Sequence, residues 1–174
     1  MEKLPDTLEE ILQRSIELEQ EGYNYYVDSA KKISNSVGKR MLERLAGDEK
    51  NHIDRFTQLY EAHTNNNIEN IEITEFEPTT FDMVFNRLKE QLEGAVDELG
   101  ESAVDDAEIL EMAIDLENTT RFFYQDASKS ASDPKIKKFY ELLAEEEKAH
   151  YDALRKAMEF LDDPSLFFGM QGKL

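Results

Sequence analysis

A chain whose second half repeats its first must fold as two copies of one unit packed together, and that constraint outweighs any other in this sequence. Shifting the 174 residues against themselves by 98 positions aligns 10–60 with 108–158 without a gap, and 18 of those 51 positions are identical. The identities include Glu19 with Glu117, Tyr26 with Tyr124, Glu49 with Glu147 and His52 with His150. The last two pairs form twin Glu-x-x-His motifs, Glu49-Lys50-Asn51-His52 and Glu147-Lys148-Ala149-His150. On a helix, a carboxylate and an imidazole three residues apart share a face and can grip one metal ion. One such motif arises readily by chance; two in register with a duplication are far more specific.

The apolar spacing is helical throughout. Over 7–33 a stripe runs Leu12, Ile16, Glu19, Tyr23, Tyr26, Ala30, Ile33, and over 37–62 it runs Leu42, Leu45, Glu49, His52, Phe56, Leu59. Ser34-Asn35-Ser36 is the turn and cap between them. Residues 63–80, with three successive asparagines and Pro78, read as an exposed connection. A further helix is expected over 81–99, carrying Met83, Val84, Leu88, Leu92 and Val96 and packing on the bundle or a partner subunit as the chain crosses over. The second copy follows over 104–131 with Leu110, Ile114, Glu117, Arg121 and Tyr124. Ser132-Asp133-Pro134 caps the next helix, whose stripe is Tyr140, Leu143, Glu147, His150, Leu154, Ala157, Leu161, and Asp162-Asp163-Pro164 ends it. The expectation is an all-α antiparallel four-helix bundle forming one domain over 1–164. It is built from hairpins 7–62 and 104–162 joined by a crossover over 63–103 that contains an extra helix. A tail over 165–174, with Leu166, Phe167 and Phe168, docks on the bundle or a neighbour.

Within each hairpin the two glutamates are 30 residues apart with the turn midway. At about 1.5 Å per residue both lie roughly 22 Å from the turn, so Glu19, Glu49, Glu117 and Glu147 reach one level of the core. Four buried carboxylates without counter-charge would cost several kcal/mol each unless protonated. Two divalent cations would cancel them, with neutral His52 and His150 adding one nitrogen each. A Glu from each of two helices and a Glu-x-x-His from each of the other two is the ligand set of di-iron and di-manganese four-helix bundles. By that logic Glu19 and Glu117 are terminal ligands and Glu49 and Glu147 bridge. Asp48 and Glu146 are placed to accept the second ring N–H of the opposing histidine. Tyr26 and Tyr124, seven residues after the terminal glutamates, face the same layer, and a ligand carboxylate is the expected acceptor for each hydroxyl.

Composition narrows the alternatives. With no cysteine, disulfides, thiolate zinc sites and iron–sulfur clusters are excluded for this chain, and any metal must be held by Glu, Asp and His. The net charge of −19 argues against nucleic acid and favours cations. No apolar run approaches membrane-spanning length, and 1–12 has neither a basic start nor an apolar signal core, so a soluble cytoplasmic protein is expected. Glu and His donors suit iron, manganese or zinc.

On the signatures Glu-x-x-(Gly/Thr)-x-x-x-Tyr and (Asp/Glu)-Glu-Lys-x-His, together with both hairpins and the long crossover, the chain resembles the rubrerythrin group of the ferritin-like superfamily. The resemblance implies a ferritin-like bundle with two iron ions held by Glu19, Glu49, His52, Glu117, Glu147 and His150. It further implies a non-haem oxidoreductase that reduces hydrogen peroxide, or that reacts with O2 while oxidising ferrous iron. Full-length rubrerythrins carry a cysteine-ligated rubredoxin domain; this chain would need an external electron donor such as a rubredoxin-like protein. Typical members also carry an extra glutamate where this sequence has Thr120, which leaves a symmetric six-ligand set. Two other readings are a ferrous-iron-binding ferroxidase that handles iron and a metal-free helical interaction module. The apolar crossover helix and the tail point to a homodimer.

Overall fold

The computed structural model describes residues 3–93, 104–165 and 167, and every regular element among them is helical. Four long helices, α1 (Leu8–Ala30), α2 (Ser36–Thr64), α4 (Val104–Ser130) and α5 (Pro134–Asp162), form the bundle. A 3-10 turn (Ile68–Asn70) and the shorter α3 (Phe81–Glu93) lie in the crossover. The helix starts follow from capping chemistry. Thr7 and Glu10 form a reciprocal capping box at α1, Asn35 accepts the Gly38 N–H at 2.9 Å to start α2, and Asp133 caps α5 ahead of Pro134 at its first turn.

α1 packs along α2 and α4 along α5; α2 against α5 and α1 against α4 then join the hairpins, and α3 rests on α2 and α5. This is the ferritin-like four-helix bundle. Its interior is divided in two. One apolar cluster gathers Ala30, Val37, Leu42 and Leu45 with Leu110, Ile114, Leu154 and Phe160, and the other gathers Leu12, Phe56 and Leu59 with Ile136, Phe139 and Leu143. Each fully buried leucine or phenylalanine contributes about 1.5–3 kcal/mol. The duplicated glutamates and histidines occupy the level between the clusters.

Polar contacts pin the two hairpins together at both ends. In the first turn of α4, the Asp106 carboxylate accepts the Ser34 N–H (2.9 Å), the Ser34 hydroxyl (2.7 Å) and the Asn35 N–H (2.8 Å) from the α1–α2 turn. At the opposite end the hydroxyls of Ser15 and Tyr140 meet at 3.1 Å.

Several expectations from periodicity shift by one helical position. In α1 the buried face carries Ser15 and Gly22 beside Leu12, Glu19 and Tyr26, whereas Ile16 and Tyr23 are half-buried. In α4 Thr120 is buried and Arg121 is half-buried, its guanidinium over the rings of Phe122 and Tyr151. α3 buries Phe81, Val84 and Phe85, with Met83 and Leu88 half-buried, because its first turn inserts its aromatics against Phe160 of α5. Phe167 of the tail completes that group, 5.2 Å from Phe81 and 5.4 Å from Phe160. Leu92 lies within α3, its side chain outside what the structure describes, and the expected contributions of Val96, Leu166 and Phe168 fall outside the described residues. No helix among the described residues is long and apolar enough to cross a membrane.

Candidate metal centre

All six duplicated donors meet. Donor atoms of Glu19, Glu49, His52 and Glu147 lie within 4.8 Å of one another, and so do those of Glu49, Glu117, Glu147 and His150. Glu49 and Glu147 belong to both groups, Glu19 and His52 to one, Glu117 and His150 to the other. None of the six is more than 3% exposed.

Both imidazoles turn Nδ1 toward the carboxylates. Nδ1 of His52 lies 3.1 Å from Glu19 Oε2 and 2.9 Å from Glu147 Oε1; Nδ1 of His150 lies 3.6 Å from oxygens of Glu49, Glu117 and Glu147. The rings stack with centroids 5.5 Å apart. On the far side Nε2 of His52 meets Glu146 Oε2 at 2.9 Å, and Nε2 of His150 meets Asp48 Oδ2 at 3.1 Å. Each outer acid thus takes the ring N–H from the histidine of the other hairpin. With the Nε2 proton engaged there, Nδ1 is the ring nitrogen that faces the centre and would offer its lone pair to a cation.

The donor set fits a pair of cations. Glu49 Oε1, Glu117 Oε2, Glu147 Oε1 and His150 Nδ1 are buried without any hydrogen-bond partner, and all four belong to the converging groups. Buried polar atoms are seldom left unpaired, so four orphans at one point mark a place for a positive ligand. The titration behaviour agrees. Burial, then the charges of neighbouring carboxylates, raises the Glu49 and Glu117 carboxyls well above their ordinary range. Burial works against charged imidazoles, yet the carboxylates beside His52 and His150 outweigh it and raise both. Burial also opposes ionisation of Glu147, but the close approach of Glu117, His150 and His52 holds it well below the usual range. Without a cation, protons supply the neutralisation.

Two further layers shape the centre. The Tyr26 hydroxyl donates to Glu117 Oε1 and the Tyr124 hydroxyl to Glu19 Oε1. Burial and the facing carboxylates push both phenols well up, so they remain donors. Beyond the histidines, the Asp48 carboxylate also accepts the backbone N–H of Thr79 at 2.8 Å, while Glu146 Oε2 accepts Arg55 Nη1 at 2.5 Å. Arg55 and Thr79 have no duplicate and therefore no mark in the repeat. A cleft of about 20 Å³ between α1 and α4, lined by Leu18, Gly22, Leu116 and Thr120, reaches Glu49, Glu117 and Glu147. A Cβ on Gly22 would stand 3.2 Å from Glu49 Oε2, so the glycine keeps this approach open. Its alignment with Thr120 in the duplication was the available signal.

No curated protein and no solved structure matches the chain significantly. A family model described as Rubrerythrin does match, over 10–106 and 108–167. Because that match runs through both hairpins and the crossover, and covers every residue of the buried cluster, the chain belongs to the rubrerythrin family, whose members are di-iron proteins.

Proposed function

We propose that the protein is a non-haem di-iron oxidoreductase that reduces hydrogen peroxide, or reacts with O2, using electrons from an external donor. The observation that carries the reading is the pair of overlapping donor groups that share Glu49 and Glu147. Glu19 and His52 would hold one iron, Glu117 and His150 the other, and the shared glutamates would bridge. Two bound irons would supply the two electrons that, with two protons, convert peroxide to two waters.

The remaining work falls to the chain. Asp48 and Glu146 orient the imidazoles. Tyr26 and Tyr124 tie down one oxygen of each terminal carboxylate and leave the other for metal. The apolar clusters on either side exclude bulk water, and the cleft at Gly22 and Thr120 has room for a molecule of water or peroxide size.

The test is peroxide consumption by iron-loaded protein supplied with a reductase and a rubredoxin-like donor. Repeated turnover is expected. A single stoichiometric oxidation without turnover, with iron uptake continuing past two per chain, would instead place the protein among iron-handling ferroxidases.

A further inference from the structure

The six inner donors are symmetric under the duplication, so by themselves they give the two metal positions equal strength. Their supports are not symmetric. Behind His150, Asp48 Oδ2 accepts the imidazole N–H and a neutral backbone N–H from Thr79. Behind His52, Glu146 Oε2 accepts the imidazole N–H and the guanidinium of Arg55 on the same oxygen. The Arg55 side chain is only 11% exposed and that of Glu146 only 6%, so water screens this charge poorly. At the position duplicating Arg55 the second copy has Ala153, which is buried. The half-buried arginine nearest that half in sequence, Arg121, bonds the side-chain oxygen of Asn118 and stacks on Phe122 and Tyr151; no acid of the centre pairs with it. Lys50 and Lys148, beside the bridging glutamates, are exposed.

From this asymmetry we infer that Arg55 is a positioning residue that makes the two metal positions unequal, so that the Glu117/His150 half takes its cation first and the Glu19/His52 half second. Two effects act in the same direction. A carboxylate shared with a guanidinium polarises its imidazole less, which makes His52 the weaker donor. The guanidinium also places a positive charge behind one half only, and that charge opposes a cation there. Arg55 is itself held in place, with Nη2 3.4 Å from the Thr74 carbonyl oxygen and its guanidinium 5.6 Å from the Phe139 ring centroid. The inference rests on the proposed two-cation centre and adds an order of filling to it.

The experiment is an anaerobic Co2+ titration of the full chain, followed by visible absorption and by the paramagnetically shifted imidazole N–H resonances. Two resolved steps are expected, the first shifting the His150 N–H; His150→Gln should remove the tighter step and His52→Gln the weaker one. Arg55→Met, which keeps the apolar stem, should tighten the second step roughly tenfold and draw the two together, whereas Arg55→Lys should keep them apart. Equal steps in the unaltered protein, His52 shifting first, or Arg55→Met moving both steps alike would overturn the inference while leaving the di-metal centre standing. Failure to bind Co2+ at all would overturn both. If Arg55→Met does not fold, the order of the N–H shifts in the unaltered protein still decides.

Discussion

Tyr124 in α4 donates its hydroxyl to Oε1 of Glu19 in α1, and the duplicate pair, Tyr26 with Glu117, crosses between the same helices in the opposite direction. Each tyrosine therefore serves the glutamate of the other hairpin. Replacing either with phenylalanine leaves a buried carboxylate oxygen without its donor. Tyr26→Phe and Tyr124→Phe are each expected to destabilise the metal-free protein by about 1–3 kcal/mol in denaturant unfolding. Because the hydroxyls lie in one network, the double variant should depart from the sum of the singles.

The shared position of Glu49 and Glu147 separates them from the other donors. Glu49→Gln or Glu147→Gln should impair both metal positions, whereas Glu19→Gln or Glu117→Gln should impair mainly one, as read by metal content per chain. Bound metal stabilises the native state alone, by about 2.7 kcal/mol per site at a hundredfold excess over the dissociation constant. Chelation should lower the melting temperature of the natural protein, and should do so much less in the Glu49 and Glu147 variants.

The pH dependence of the metal-free protein follows from the same groups. Glu49 and Glu117, raised above the ordinary 4.5, and His52 and His150, raised above the ordinary 6.5, bind protons more tightly in the folded chain than in the unfolded one. Their contribution is complete below those ordinary values and is lost as pH rises through the folded ones. Asp48, Glu146 and Glu147 are lowered, and their contribution is lost as pH falls below their ordinary values. Metal-free protein should therefore be most stable in mild acid. Metal loading should move the optimum upward and release protons, measurable by calorimetry in buffers of different ionisation enthalpy.

Gly22 sits inside a helix with its missing Cβ against Glu49. Gly22→Ala should gain roughly 0.5–1 kcal/mol from helix propensity in the metal-free protein, where the end of the Glu49 side chain can shift a few tenths of an ångström. With Glu49 held by metal that freedom is gone, so metal affinity and peroxide turnover should both fall. Paired melting curves with and without metal would show the two signs.

Much of this architecture was legible in the residues. The duplication, the four stripes and the midway turns place the four glutamates on one level, and the acids before Glu49 and Glu147 do reach the opposing histidines. These features depend on local periodicity and on symmetry between the copies. What lay beyond them comes from contacts without a repeat. The direction of the tyrosine bonds depends on how α1 and α4 face each other. Asp106 beneath the α1–α2 turn, Thr79 on Asp48 and Arg55 on Glu146 join segments far apart in sequence, and no spacing rule links them. Phe81 and Phe85 escaped the crossover stripe because α3 turns its first-turn aromatics toward Phe160.

The connection between the hairpins carries one more consequence. Thr79 lends its amide to Asp48 and Thr74 its carbonyl to Arg55, so two points on an irregular stretch brace the outer wall of the centre. Surface loops usually absorb insertions and cuts with little harm. Here, lengthening the chain between 74 and 79, or opening it there to make a circular permutant, would detune the centre even if every helix formed as before.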